Sequence, residues 1–285
     1  LMRRPDLPPL LRRWTLSDGY ELQGRVWLPA DGAPRCAVVY LHGIQSHGGW
    51  FEWSAAQLAR TGCLVVLPDR RGSGLNLVAR GDVTRAERWL ADLDELAAWV
   101  VTEFGIDRIG AVGVSWGGKL AVWWALRRPE RVSRLLLIAP GLFPAVNVGW
   151  WARIQIALSL VFRPQHEFPI PLDDPALFTD NPAGQSFIRT DPLKLTRATA
   201  RFLYESTRVD RWLRRAAAAS LRPPTSLWLA GRERIIRNTP TIQWLRRLAA
   251  QPAQIHTFAS AAHTLEFEPD VSSLGAELAE WARGL

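Results

Sequence analysis

A single serine lies in a pattern that is typical of a catalytic nucleophile. Residues 113–117 read Gly-Val-Ser-Trp-Gly, after an apolar run at 109–114 and before a helical run. A strand, then Gly-x-Ser-x-Gly, then a helix predicts a sharp turn that exposes the serine hydroxyl. Gly113 and Gly117 lack a Cβ, so strand and helix can cross closely there. We therefore predict that Ser115 is a nucleophile, although the pentapeptide alone also occurs by chance in other turns.

A serine hydroxyl needs a base, and five histidines are available. His263 follows the last predicted strand, which places it at the carboxyl end of the sheet, the same end as Ser115, where such sheets bind ligands. His256 lies within that strand, while His42 and His47 lie in an earlier loop that we expect them to shape. The prediction is that His263 removes the serine proton.

The base needs a carboxylate that fixes its tautomer and stabilises the imidazolium. Glu233 follows the predicted strand 225–230 and gives the chain order nucleophile, acid, base. A surface glutamate paired with neighbouring arginines is the alternative interpretation of this residue. Glu266 and Glu268, just past His263, are the other candidate carboxylates.

Acyl transfer also needs donors for a developing oxyanion. The backbone N–H of Trp116, directly after the serine, is one candidate. The other is the N–H of Ile44, in the loop after the predicted strand 36–41, with Gly43 allowing a close approach. We expect Asp69 to anchor its own Gly-rich loop by hydrogen bonds.

The elements around these residues alternate between strands and helices. A hairpin at 13–29 comes first, and a helix at 82–104 has Asp82 as its expected N-cap. Short apolar runs predict strands at 36–41, 63–67, 109–114, 134–139 and 225–230, and residues 254–258 are expected to form a last strand. Helical spacing recurs at 53–60, 119–128, 239–250 and 274–282. This alternation predicts an α/β fold, with a mostly parallel sheet covered by helices on both faces.

The alternation is interrupted in the middle of the chain, where two helices and no strong strand are expected. We predict a catalytic domain of residues 1–140 and 221–285, with an inserted helical cap at 141–220. The cap begins with an apolar stretch, 143–162, whose only charge is Arg153. It is either a helix packed onto the catalytic domain or a lid whose apolar face meets acyl chains or a membrane surface.

Three aromatic residues of the cap are candidate substrate-binding residues. Trp150 and Trp151 lie in the apolar stretch, and Phe168 begins a proline-rich segment that we expect to form an extended rim.

Composition limits the class of protein. The 285 residues are 48% hydrophobic and 22% charged, an ordinary globular balance, and the net charge is +8. The arginines are spread along the chain without a basic, aromatic-rich face, so we expect no nucleic-acid partner. Cys36 and Cys63 are expected to be buried, reduced thiols. No secretory signal or membrane span is evident, which favours a soluble cytoplasmic protein with peripheral contact to lipid.

These segments resemble the α/β-hydrolase superfamily, most closely its monoacylglycerol lipase, lysophospholipase and serine aminopeptidase branch. The resemblance is carried by His42-Gly43 with His47, by the loops holding Glu233 and His263, and by the segments Pro-Asp-Arg-Arg-Gly-Ser-Gly (68–74), Gly-Val-Ser-Trp-Gly-Gly (113–118) and 191–203. It implies a serine hydrolase that cleaves small-molecule esters with an apolar acyl group through an acyl-enzyme, with no metal or organic cofactor.

The chain departs from that branch at three positions. Trp116 replaces the methionine often found after the serine, which puts a bulky ring near the acyl pocket, and Val114 replaces the usual histidine before it. Glu233 replaces the more usual aspartate. Two other functions stay open: an aminopeptidase or other amide hydrolase with the same triad, or a non-catalytic binding protein. The aminopeptidase would need an acidic clamp in the cap, for which Glu167, Asp173 and Asp174 are the candidates.

Overall fold

Ten strands occur in the part of the chain that the computed structural model describes, residues 6–30 and 32–285. They are β1 (Leu10–Thr15), β2 (Glu21–Trp27), β3 (Cys36–Leu41), β4 (Cys63–Pro68), β5 (Ile109–Val114), β6 (Val132–Ile138), β7 (Glu167–Pro169), β8 (Arg197–Thr199), β9 (Thr225–Ala230) and β10 (Gln254–Phe258). Eight of them form one sheet in the order β1-β2-β4-β3-β5-β6-β9-β10. Strand β2 is antiparallel to β1 and β4, and the others run parallel.

The helices of the described residues connect these strands. They are α1 (Glu52–Arg60), α2 (Ala86–Phe104), α3 (Trp116–Arg127), α4 (Trp150–Phe162), α5 (Pro182–Thr190), α6 (Ala200–Arg215), α7 (Asn238–Leu248) and α8 (Ser272–Arg283). Every residue of β3, β4, β5 and β9 is buried, so the centre of the sheet is covered on both faces. The predicted fold class is confirmed. No helix of the described residues is long and apolar enough for a bilayer span.

Helix α2 begins later than the sequence predicts. Its N-cap is Arg85, so the prediction of Asp82 as N-cap is wrong. The Asp82 carboxylate instead accepts hydrogen bonds from the side chains of Thr199 and Arg201, at the start of α6. The aspartate therefore links the segment before α2 to the chain between β6 and β9, which we call the inserted region.

The two cysteines form a disulfide, so the prediction of reduced thiols is wrong for this structure. Cys36 and Cys63 are the first residues of β3 and β4, and they lie opposite each other in the parallel register. Their Cα atoms are 4.8 Å apart, within the range that a disulfide bridges. The sequence showed that each cysteine begins a strand, but not that these two strands are neighbours.

The chain between β6 and β9 contains three helices and two short strands, where two helices were predicted. Strands β7 and β8 pair as a separate antiparallel ribbon, and α4 packs against α6. None of the residues of α4 is buried. This favours an exposed apolar helix over one packed into the catalytic domain. The division into two domains stays a prediction.

Candidate active site

Ser115 lies at the junction of β5 and α3 with a left-handed backbone. Its φ is 51° and its ψ is −121°, a conformation that few residues other than glycine adopt. The Ser115 N–H donates to the Ile138 carbonyl oxygen at 2.9 Å. The Ser115 carbonyl oxygen accepts from the N–H groups of Gly118 at 2.9 Å and Gly141 at 2.7 Å. The strained turn is thus held by β6, α3 and the loop after β6.

The glycines of the turn allow the close crossing that the motif predicts. A Cβ on Gly117 would meet the carbonyl oxygens of Leu41 and His42, the second at 2.6 Å. A Cβ on Gly113 would lie 2.7 Å from the carbonyl oxygen of Gly117. All of these neighbours are backbone atoms, which cannot move aside as a flexible side chain could.

Glu233 and His263 form a buried pair. The His263 Nδ1 atom lies 2.9 Å from each carboxylate oxygen of Glu233, and the two side chains are only 2% and 3% exposed. The Glu233 Oε1 atom also accepts backbone N–H groups of Arg234, Ile235 and Ile236 at 3.0, 2.8 and 3.3 Å. This geometry assigns the proton of a neutral imidazole to Nδ1 and leaves a lone pair on Nε2.

The carboxylate is held in its charged form. Burial raises the pKa of Glu233, but the adjacent His263 and the backbone hydrogen bonds outweigh burial and leave this pKa below its usual value. In the described residues, the His263 Nε2 atom has no hydrogen-bond partner, not even the Ser115 hydroxyl. Catalytic hydrogen bonds are often long without substrate and tighten when it binds.

The other carboxylates near His263 bond elsewhere. Glu266 accepts hydrogen bonds from the backbone and hydroxyl of Ser54, and Glu268 accepts the N–H of Ala262 at 2.8 Å. The arginines that flank Glu233 both pair with Asp180. The structure therefore brings Glu233 to the histidine, as predicted, and not to the surface arginines.

The loop after β3 lies against the serine. A Cβ built on Gly43 would be 3.3 Å from the Ser115 Cβ and 3.7 Å from its Oγ. The carbonyl oxygens of Gly43 and Ile44 accept hydrogen bonds from Arg70 Nη1 and Nη2, each at 3.1 Å. The Gly43 N–H donates to the Ser46 Oγ at 2.9 Å. The segment that should supply one oxyanion donor is therefore held by side chains on two sides.

His42 shapes this loop as a neutral donor and acceptor. Its Nδ1 donates to the Gly43 carbonyl oxygen at 2.8 Å, and its Nε2 accepts the Arg70 N–H at 2.8 Å. Burial and the nearby Arg70 lower the pKa of His42 well below 6.5, so it is uncharged at neutral pH. This fits the loop-shaping role that we expected.

Asp69 anchors its loop, as predicted. Its carboxylate accepts the N–H groups of Gly48 at 2.6 Å and Leu75 at 2.8 Å, and it lies 3.3 Å from Arg25 Nη1. One buried carboxylate thus joins the loops after β3 and β4.

Asp191 joins the loop after β3 to the inserted region. It accepts hydrogen bonds from His47 Nε2 at 3.1 Å and Trp50 Nε1 at 2.7 Å. Burial raises the pKa of Asp191, but the hydrogen bonds from His47, Trp50 and the backbone of Leu193 lower it overall. The inserted region is therefore fixed to the loop by a charged group.

The Trp116 ring is buried against α6. It stacks on Phe202 with ring centroids 5.6 Å apart, and it meets Trp89 edge-on at 4.9 Å. Its Nε1 donates to the Ser206 Oγ at 2.9 Å, and the Arg70 guanidinium lies 4.6 Å from the ring centroid. No role for Arg70, Phe202 or Ser206 followed from the sequence, although Arg70 and Phe202 lie in segments that carry the family resemblance. A further signal was the unusual tryptophan after the serine.

The three candidate substrate-binding residues lie in different environments. Trp150 and Trp151 are 61% and 64% exposed on α4, with stacked rings 3.7 Å apart. Phe168 is only 7% exposed in β7, with its ring against His166. Phe168, opposite Ala198 in the β7–β8 ribbon, is therefore buried, whereas Trp150 and Trp151 are exposed to solvent.

Comparisons with known proteins agree with this architecture. The model of the Hydrolase_4 family, described as serine aminopeptidase S33, matches residues 32–270. Phospholipase YtpA of Bacillus subtilis is 22% identical over 252 residues, which cover 86% of this chain and 94% of that protein. Rat monoglyceride lipase is 30% identical over 135 residues, which cover 47% of this chain but only 43% of that enzyme.

Two solved structures share the fold. The monoacylglycerol lipase of Paleococcus ferrophilus has a TM-score of 0.79 at 20% identity, over 92% of this chain and 98% of that chain. A soluble variant of the Saccharomyces cerevisiae monoglyceride lipase, in complex with a substrate analogue, has a TM-score of 0.82 at 16% identity. The match covers 96% of this chain and 95% of that chain.

Proposed function

This chain belongs to the Hydrolase_4 family of α/β-hydrolases, and on that basis we propose that it is a serine hydrolase which cleaves carboxylic esters with an apolar acyl group. One observation supports the mechanism above all. The buried Glu233–His263 pair leaves Nε2 unpartnered at the carboxyl edge of the sheet, the same edge at which Ser115 holds its strained turn.

In the proposed reaction, the Ser115 oxygen attacks the ester carbonyl carbon while its proton passes to His263 Nε2. Glu233 stabilises the imidazolium that results. The N–H groups of Ile44 and Trp116 stabilise the negative carbonyl oxygen of the tetrahedral intermediate. The imidazolium then protonates the departing alcohol, which leaves an acyl-enzyme. Water, deprotonated by His263, attacks this acyl-enzyme, and the acid is released while Ser115 regains its proton.

Two of the carboxylates that could form the acidic clamp of an aminopeptidase have other partners, which favours ester cleavage. Glu167 is exposed and lies 3.4 Å from Arg197, and Asp174 accepts the N–H of Ala176 at the start of a short helical turn. The names of the relatives, a phospholipase and a monoglyceride lipase, also favour lipid esters.

The test is hydrolysis by the wild type and by Ser115→Ala. A p-nitrophenyl ester series, a monoacylglycerol, a lysophospholipid and an aminoacyl amide would define the substrate class. The expected result is ester turnover that Ser115→Ala abolishes and fluorophosphonate labelling of the wild type alone. Ser226→Ala, which alters a buried serine in β9, is the matched control and should retain both. A wild type that is neither labelled nor active would instead indicate a binding protein.

We also propose that α4 contacts a lipid surface. Its exposed apolar side chains include Trp150, Trp151, Val161 and Phe162, and none of its residues is buried. The free energy of such a helix falls when its apolar side chains enter a lipid interface.

Vesicle sedimentation tests this contact. Replacing Trp150 and Trp151 by alanine should weaken binding to vesicles and lower turnover of a monoacylglycerol carried in them. Turnover of a water-soluble ester should stay unchanged. Trp212→Ala, which removes a half-exposed tryptophan of α6, is the control. Equal vesicle binding by all three proteins would contradict the proposal.

A further inference from the structure

Arg70 is a buried cation that contacts both segments expected to form the oxyanion hole. Only 8% of this residue is exposed. Its two terminal nitrogens donate to the carbonyl oxygens of Gly43 and Ile44, while its guanidinium carbon lies over the Trp116 ring. Burial lowers the pKa of Arg70 to about 9, with Asp69 acting in the opposite direction, so the group is charged at neutral pH.

The hydrogen bond to Gly43 orients the next N–H. In a trans peptide the carbonyl and the N–H of one unit point in opposite directions, and no cis peptide occurs in the described residues. The Gly43 carbonyl points to Arg70 and His42, so the Ile44 N–H points away from them. A positively charged donor on a carbonyl also polarises its peptide, which strengthens the N–H as a donor.

The contact between Arg70 and the Trp116 ring concerns the second expected donor, the backbone N–H of Trp116. The Arg70 guanidinium lies 4.6 Å from the centroid of the Trp116 ring and 5.2 Å from that of Phe202. The Trp116 indole is further fixed by its hydrogen bond to Ser206. Since the Trp116 backbone N–H is the other expected donor, one guanidinium contacts both residues whose N–H groups are expected to form the oxyanion hole, Ile44 at its carbonyl and Trp116 at its ring.

We propose that Arg70 is a positioning residue, which fixes the Ile44 and Trp116 N–H groups relative to Ser115. This inference rests on the proposed serine hydrolase function. Lysine cannot replace it, because two parallel N–H donors and a flat stacking face are properties of the guanidinium. Arg71, the next residue, is equally buried but pairs with Asp92 and Asp18, so it provides a matched control.

The experiment measures kcat and KM for a soluble ester, the inhibition constant of a trifluoromethyl ketone and the thermal midpoint. The ketone forms an oxyanion at the serine, so its affinity depends on the same donors. Arg70→Met and Arg70→Lys should each lower kcat by about 10- to 100-fold, somewhat less than loss of a whole donor. KM should change by less than about threefold, while ketone inhibition weakens in parallel with kcat.

The controls separate a positioning role from a structural one. Arg71→Met should lower the thermal midpoint but leave kcat and ketone inhibition within about threefold of the wild type. If Arg70→Met does not fold, Arg70→Lys gives the answer on its own. Wild-type kcat and ketone inhibition in Arg70→Lys, or equal losses in Arg71→Met, would overturn the inference. Failure of the proposed function is distinct, since the wild type would then not hydrolyse the ester.

Discussion

Replacing Glu233 by glutamine should separate catalysis from folding. Glutamine has nearly the same shape, and its carbonyl oxygen can stay on the backbone N–H groups of Ile235 and Ile236 that Oε1 now accepts. Its NH2 group then faces His263 Nδ1. Because an N–H donor repels the Nδ1–H that now faces it, the substitution favours the tautomer with its proton on Nε2, and the negative charge that stabilises the imidazolium is lost. In that tautomer the imidazole cannot take the serine proton.

The expected loss in kcat is about 10³- to 10⁴-fold, which corresponds to roughly 4–5.5 kcal/mol in the activation free energy. The stability loss should be smaller, about 1–3 kcal/mol, since one charged acceptor becomes neutral while the backbone hydrogen bonds remain. Steady-state ester hydrolysis and calorimetric unfolding measure the two quantities on the same sample.

Glu268→Gln is the matched control for this prediction. Glu268 accepts the Ala262 N–H next to the histidine, and glutamine can do the same. Its kcat should stay within about twofold of the wild type. A folded Glu233→Gln enzyme that keeps a third or more of the wild-type kcat would refute the assigned role of the carboxylate.

Three further predictions concern stability. Gly117→Ala should destabilise the fold by about 1–3 kcal/mol and lower kcat, since its Cβ would lie 2.6 Å from the carbonyl oxygen of His42; thermal unfolding and ester hydrolysis test both. Replacing Cys36 and Cys63 by alanine should cost about 2–4 kcal/mol in urea unfolding without changing kcat, and a reductant should destabilise only the wild type. The pKa of Asp191 is lowered in the folded state by its hydrogen bonds, so this carboxylate stabilises the fold above its unfolded value of 3.8. The stability advantage of the wild type over Asp191→Asn should disappear as the pH falls through that lowered pKa, and an unchanged difference down to pH 2 would contradict this.

Much of the fold followed from local patterns. The buried parallel strands are continuous apolar runs, and both 225–230 and 254–258 have their predicted bounds. The predicted Glu233–His263 contact formed because the ends of parallel strands meet at one edge of the sheet.

Features that depend on contacts between distant segments were not predicted. The disulfide required knowing that β3 and β4 are neighbours, and the N-cap of α2 changed because Asp82 bonds to α6. Arg70 was part of a recognised motif, but only the structure places its side chain between two loops and a tryptophan ring.

The attachments of the inserted region differ in strength along its length. Asp191 is bonded to the loop after β3, and α6 is joined to α3 through Ser206 and a 2.5 Å ion pair between Asp210 and Lys119. Helix α4, in contrast, has no buried side chain. A molecule entering between α6 and the serine would have to break buried polar bonds, whereas one that moves α4 aside would disturb only surface contacts. Any movement within the insertion should therefore involve α4 first, while α6 and the segment around Asp191 keep their positions.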